Sequence, residues 1–126
     1  MAAGKRPVST MAPTIVFDEH GAPVVVGGSA GRGQIVDYIA QSLIEMLVHG
    51  RTPAKALARG HVSTAVAGTV QLERGTPAAA QADALRAKGH RVEVVEMKSG
   101  LAFVKRSGGS WIGAADPRRD GASAAL

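Results

Sequence analysis

The run Gly27-Gly28-Ser29-Ala30-Gly31-Arg32-Gly33 follows three valines and leads into the helix-like pattern that Gln34 and Ile35 open. Glycine accepts positive φ and carries no Cβ, so a strand ending this way can turn sharply and aim successive backbone N–H groups in one direction. The start of the helix adds partial positive charge, and a corner of this kind has the means to hold an anion. That anion is either a phosphate, as at nucleotide sites, or the oxyanion that forms when a carbonyl is attacked. The bland alternative is a tight turn that binds nothing. Phosphate fits poorly: Gly28, Gly31 and Gly33 are spaced G-x-x-G-x-G, the reverse of the dinucleotide fingerprint, and no Gly-Lys-Ser/Thr follows. An oxyanion site needs substrate-orienting groups beside it, which directs attention to the upstream polar cluster Arg6 to Met11, with its hydroxyls at Ser9 and Thr10.

Other chemistries are poorly provided for. The chain has no cysteine, which removes disulfides, thiolate metal sites and thiol nucleophiles. His20, His49, His61 and His90 lack metal-ligand spacing and read as turn, helix-end and surface residues. No metal or other cofactor is implied. The segment Asp116-Pro117-Arg118-Arg119-Asp120 could be a functional ion-pair cluster, but alternating charge of this kind is more often a solvated tail or a structural brace. A net charge of +5 comes from basic residues scattered from Lys5 to Arg119, and with aromatics at 3% a nucleic-acid partner is a weak reading. No apolar stretch approaches a membrane span or a signal peptide, and the compartment stays open.

The elements that must position the corner follow from local patterning. Residues 14–18 and 23–26 are β-rich runs joined by Glu19-His20-Gly21-Ala22, which predicts a hairpin, apolar on both faces and therefore buried. Ile35, Ile39, Leu43 and Leu47, joined by Val36 and Met46, predict a helix stopped at Gly50. Thr52-Pro53 and Thr76-Pro77 each place a capping hydroxyl before a first-turn proline, predicting helices near 54–59 and 78–88, the second ended by Gly89. Further strands are expected at 91–96 and 101–105, with a turn at Ser107-Gly108-Gly109 leading into Trp111 and Ile112. Tight turns between neighbouring strands favour a largely antiparallel sheet with packed helices over a doubly wound parallel one, an α+β chain. Residues 1–126 form a single partial domain on this reading, with irregular ends at 1–8 and 117–126.

The segment KRPVSTMAPTIVFDEHGAPVVVGGSAGRGQI resembles the K-R-P-L-S-S-M-x-P-T-I-V…G-S-P-G-G-S-R-I pattern of the gamma-glutamyltransferases, which are N-terminal nucleophile hydrolases. Ala58, Arg59 and His61 fall where that family has P-R-F-H-H, and Gly113 to Gly121, GAADPRRDG, is similar to its terminal G-A-S-D-P-R-R-x-G. The resemblance implies a fragment of a four-layer αββα fold, two sheets stacked between helices. It also implies transfer or hydrolysis of the γ-glutamyl group of glutathione and related compounds. By position, Ser9 and Thr10 match the serine pair that holds the substrate α-carboxylate. Gly31 and Arg32 match the adjacent glycines whose backbone amides form the oxyanion hole. Arg32 departs from that pattern, as do Ala30 in place of a proline and Gly60 and Val62 in place of an aromatic and a histidine. The family's catalytic Thr-Thr-His motif does not occur, and Thr10, Thr14 and Thr52 are internal, without the free α-amine that serves as base. The chain is therefore expected to be a part of the small subunit, inactive alone, that needs the missing upstream segment and large subunit or associates with itself. The alternatives are a non-catalytic partner subunit of a split enzyme and a small-anion or nucleotide-binding module.

Overall fold

The structure, a computed structural model, describes residues 3–6 and 9–124; Pro7 and Val8 of the upstream polar cluster lie outside the described residues. Strand β1 (Thr14–Phe17) pairs antiparallel with β2 (Pro23–Gly28) in the expected hairpin, with a register shift between Val16 and Phe17. The turn between them is organised by Asp18, whose Oδ1 accepts from the backbone N–H of His20 at 3.0 Å and of Ala22 at 2.9 Å, while Gly21 takes φ 79°. A short side chain that bonds its own downstream backbone is what makes Asp a turn residue. Helix α1 (Ile35–Leu47) follows a single 3₁₀ turn, Arg32–Gln34, and α2 (Pro53–Leu57) is capped by Thr52, whose Oγ1 accepts from Lys55 N at 3.4 Å.

The second half of the chain departs from the sequence reading in two places. A two-residue strand, β3 (Val62–Ser63), precedes β4 (Val70–Glu73), and the segment after β4 begins as a 3₁₀ turn, Ala79–Gln81, before α3 (Ala82–Ala87). Thr76 does not cap that helix; its hydroxyl donates instead to Glu73 O at 2.8 Å. Strand β5 (Val92–Val95) then lies parallel to β4, because the connection through α3 is long enough to cross over and return in the same direction. The chain closes with β6 (Ala102–Ser107) and β7 (Ser110–Ala115), an antiparallel hairpin. The strands form two sheets, one ordered β1-β2-β6-β7 and wholly antiparallel, the other β3-β4-β5. The α+β class and the largely antiparallel pairing hold, with β4 and β5 as the parallel exception.

The larger core lies between the inner face of the four-stranded sheet and helices α1 and α2, and includes Val25, Ile35, Tyr38, Ile39, Leu57 and Phe103. A smaller one, Leu72, Ala82 and Val92, lies under α3. Helix α1 shows the expected apolar recurrence with a rotated face. Tyr38, Ser42, Glu45 and Met46 are buried beside Ile35 and Ile39, whereas Val36, Ile44 and Leu47 are exposed. Nor is the first hairpin buried on both faces. Ile15, Val26 and Val104 are cross-strand neighbours on the outer face, with Trp111 beside them, and Ile15, Phe17, Val104 and Trp111 are exposed. Apolar residues on both faces of a strand give the sheet's chemistry, while what covers each face depends on packing beyond the strand. Among the described residues no helix is long and apolar enough to cross a membrane.

Side-chain bonds from α1 join the two sheets. Gln41 Nε2 donates to Val62 O at 2.5 Å and its Oε1 accepts from Val62 N at 3.0 Å, so the amide side chain pairs with β3 as another strand would. Asp37 Oδ2 accepts from Ser63 Oγ at 2.6 Å and Thr64 N at 3.0 Å. At the other end of the helix, Lys105 Nζ donates to Met46 O at 2.6 Å, supplying a cation where the helix leaves carbonyls unpaired.

Candidate active-site cleft

The glycine corner is shaped by close packing at two positions. At Gly27 a Cβ would come within 2.3 Å of the Phe103 ring and 2.4 Å of Ala102 O, so a side chain there would push β2 off β6. Gly31 has φ 143°, and a Cβ would lie 2.6 Å from the Tyr38 ring. The corner is then tied to the segment before β6: Ala30 N donates to Gly100 O at 3.2 Å, and Gly100 N donates to Ala30 O at 3.1 Å. Gln34 N donates to Gly31 O at 3.3 Å, which closes the 3₁₀ turn and leaves the preceding N–H groups without an intrahelical acceptor. Neither the Gly31 nor the Arg32 amide donates to another backbone group among the described residues. Arg32 itself has φ 55°, a left-handed conformation uncommon for a residue with a Cβ.

The corner lines an open cleft of about 430 Å³ bounded by Gly31, Arg32, Gln34, Glu96, Lys98 and Arg119. The upstream cluster meets the corner at Arg32, although neither Ser9 nor Thr10 is among the residues that line the cleft. Thr10 Oγ1 donates to Arg32 O at 2.5 Å across 22 residues of sequence. Ser9 Oγ accepts from Met11 N at 3.3 Å, which leaves its own proton for another partner. Thr10 can bind an anion through its hydroxyl only by exchanging the bond to Arg32. The four residues singled out in the sequence, Ser9, Thr10, Gly31 and Arg32, thus occupy one neighbourhood, with the main chain of Arg32 at its centre.

Behind the cleft lies a buried polar network that sequence reasoning did not assemble. His61, read as a surface or turn residue, is 2% exposed; its ring lies 4.3 Å from that of Tyr38, centroid to centroid. Its Nε2 is 2.8 Å from Ser99 Oγ, and Ser99 Oγ donates to Asp116 Oδ2 at 2.5 Å. Since the serine proton goes to the carboxylate, His61 Nε2 must carry the proton it shares with Ser99. The order is histidine, serine, aspartate, so the histidine gives a proton to the serine and does not take one from it as the base of a nucleophile triad does. Arg118 closes the network: its Nε and Nη2 donate to the two oxygens of Glu73 at 2.5 and 2.7 Å, and its Nη1 donates to Asp116 Oδ1 at 3.1 Å. Two further bonds reach Leu57 O and Arg59 O, both at 2.8 Å. The C-terminal charged segment is a brace in this sense, with Arg118 as its working residue.

The electrostatics follow from burial and from that arginine. Burial, and after it the Arg118 charge, push the His61 imidazole down to about 4, so it is neutral around pH 7. Burial would raise the Glu73 carboxyl, but Arg118 and the His61 backbone amide hold it below its ordinary value. For Asp116 burial is likewise outweighed, by Ser99 and the Leu101 amide, and its carboxyl is also lowered. A second buried acid, Glu45 on α1, is 1% exposed and is paired with Arg51, 2.5 Å away, and with Arg59. Among the described residues no cluster of three or more His, Cys, Asp or Glu is placed to hold a metal.

The family model described as gamma-glutamyltranspeptidase matches residues 1–126. Glutathione hydrolase 7 from Rattus norvegicus is 29% identical over 117 residues, covering 91% of this chain and 18% of that protein. The glutathione hydrolase proenzyme of Bacillus subtilis is 27% identical over 124 residues, covering 94% of this chain and 20% of its own length. Among solved structures, gamma-glutamyltranspeptidase from Pseudomonas nitroreducens complexed with L-DON superposes with a TM-score of 0.84 at 26% identity, covering 100% of this chain and 67% of that one. This chain thus spans about a fifth of the length of the two curated relatives.

Proposed function

The chain belongs to the gamma-glutamyltranspeptidase family, and on that premise we propose that it supplies the oxyanion and carboxylate side of a site acting on γ-glutamyl compounds. The observation that carries this reading is the bond from Thr10 to Arg32 O, which sets the paired hydroxyls against the corner. The division of labour follows from the donors. Ser9 and Thr10 hold the α-carboxylate of a γ-glutamyl group, Ser9 with its own O–H and Thr10 by turning its O–H away from Arg32 O when the carboxylate binds. The amides of Gly31 and Arg32 face the γ-carbonyl and stabilise the negative oxygen that develops when it is attacked. Because the donor at Arg32 is its main-chain N–H, the change from glycine leaves the hydrogen bond available. Attack requires a threonine with a free α-amine from a segment outside these 126 residues, so the chain alone turns over no γ-glutamyl anilide.

The outer face of the four-stranded sheet supports a role within a larger fold. Exposed Ile15, Phe17, Val104 and Trp111 form an apolar surface of the kind that another layer covers. The relatives are several times longer than this chain, which fits such cover coming from the remainder of the family's architecture.

Glutamate carries both the α-carboxylate and a γ-carboxylate and is the simplest probe. Titrated into the isotope-labelled chain, it is expected to shift the backbone amide resonances of Ser9, Thr10, Gly31 and Arg32. Joint replacement Ser9→Ala and Thr10→Val should weaken binding about tenfold, the scale of one hydrogen bond to a charged group. Shifts confined to other parts of the chain would overturn the reading.

A further inference from the structure

Helix α1 starts at the glycine corner and ends at a second, separate cleft. Glu45 lies at the base of that cleft, about 15 Å along the axis from Ile35 at a rise of about 1.5 Å per residue. The cleft has a volume of about 510 Å³, and its walls carry His49, Arg51, Lys55 and Arg59. Glu45 is buried, and both of its oxygens are taken, Oε2 by Arg51 Nε at 2.5 Å and Oε1 by Arg59 Nη1. Lys55 makes no ion pair among the described residues. Three cations against one carboxylate leave the cleft with a positive excess.

Cations often gather at the C-terminal end of a helix to meet its unpaired carbonyls. Here those carbonyls already have other donors. Ile44 O accepts from the amides of Val48 at 2.9 Å and His49 at 3.2 Å, Glu45 O from the amide of Arg51 at 2.9 Å, and Met46 O from Lys105 Nζ at 2.6 Å. The Arg51 and Arg59 side chains instead each give one nitrogen to Glu45 while staying 54% and 56% exposed, so most of their N–H donors are left to the cleft. A buried carboxylate that grips two guanidiniums at once also fixes their separation, which two solvated arginines would not keep. The donors are thus arranged before any ligand arrives.

We propose that this cleft binds a phosphoryl dianion, either free orthophosphate or the phosphate of a small ester. The paired N–H groups of a guanidinium match two phosphoryl oxygens, and the Lys55 ammonium adds charge without demanding one direction. A phosphomonoester carries a charge of about −1.5 to −2 at pH 7, which suits the excess in the cleft better than the single charge of a carboxylate does. The space is of the size that small-molecule sites take. The site lies at the far end of α1 from the glycine corner, and it stands or falls independently of the γ-glutamyl reading.

The test titrates the full chain with orthophosphate, glycerol phosphate and acetate, in phosphate-free buffer at constant ionic strength, so that general screening is the same for each. Calorimetry gives the affinity, and the backbone amide and arginine Nε–H resonances give the place. Both phosphates are expected to shift residues 49–59 saturably and to bind about tenfold tighter than acetate or more. Whichever of the two binds tighter tells the free ion from the ester. Lys55→Gln removes a cation that has no ion-pair partner to strand and should weaken phosphate binding about threefold to tenfold. Arg51→Lys keeps a cation beside Glu45 and loses only the planar fork, and a loss of similar size is expected. Phosphate bound no tighter than acetate, or shifts confined to other parts of the chain, would overturn the site. So would an affinity that Arg51→Lys leaves unchanged, since that outcome belongs to a plain patch of charge.

Discussion

The cleft and the network behind it use the same kinds of side chain to opposite ends. In the interior, Arg118 makes hydrogen bonds to both oxygens of Glu73, to Asp116 and to two carbonyls, so every charge meets its partner away from water. At the cleft, Arg32 and Lys98 make no ion pair among the described residues, and the Gly31 and Arg32 amides have no backbone acceptor there. The difference teaches where stability is held and where binding capacity is kept. A satisfied buried network fixes the fold, and the groups at its edge are left without a backbone or ion-pair partner among the described residues. The two are joined through Ser99 and Gly100, since the first is bonded to Asp116 and the second to Ala30 at the corner.

The largest effect that could break this contrast comes from Arg118. Arg118→Met strands Glu73 and Asp116 as buried charges, and the expected loss is about 3–5 kcal/mol by urea denaturation. A loss below about 1 kcal/mol would show that the network is decoration. Acid should act next in size. The folded His61 titrates near 4 while its ordinary value is 6.5, so as pH falls from 6.5 the unfolded chain takes up a proton that the folded chain refuses. Stability is therefore expected to fall across that window, by on the order of 3 kcal/mol at pH 4 from this residue. Glu73 and Asp116, both held below their ordinary values, extend the loss at still lower pH. Melting curves flat between pH 6.5 and 4 would refute the buried neutral histidine. Arg32→Gly should have the smallest effect on stability. Relief of the left-handed strain is offset by the greater freedom of glycine in the unfolded chain, and the melt should move by less than about 0.5 kcal/mol. A cost above about 1 kcal/mol would place Arg32 with the structural residues and erase the contrast.

What the sequence disclosed was local or periodic. Asp18 and Gly21 announce the first hairpin, Thr52-Pro53 announces α2, and the recurrence of Ile35 and Ile39 announces α1, because each signal is written within one turn or one strand. The neighbourhood of Ser9, Thr10, Gly31 and Arg32 came from a family-like pattern, since nothing within either stretch tells that they meet. The interior network was illegible for a different reason. Glu73 and Arg118 are 45 residues apart, and His61 and Ser99 are 38 apart. Such pairs are specified by how two sheets and three helices pack. Glu45 shows the same limit within one helix: a glutamate on an amphipathic pattern reads as solvated until Arg51 and Arg59 fold back over it. The parallel pairing of β4 and β5 was missed because short turns elsewhere favour antiparallel neighbours, and only the crossover through α3 reverses that.

Tyr38 is the one tyrosine in the chain and is fully buried, with its ring under Gly31 on one side and against His61 on the other. Trp111, the single tryptophan, stands on the outer sheet face. The molecule thus carries two optical reporters in separate places. Absorbance of the phenol follows the seam between cleft and interior, and emission of the indole follows whatever comes to lie over the exposed strands, with no label added.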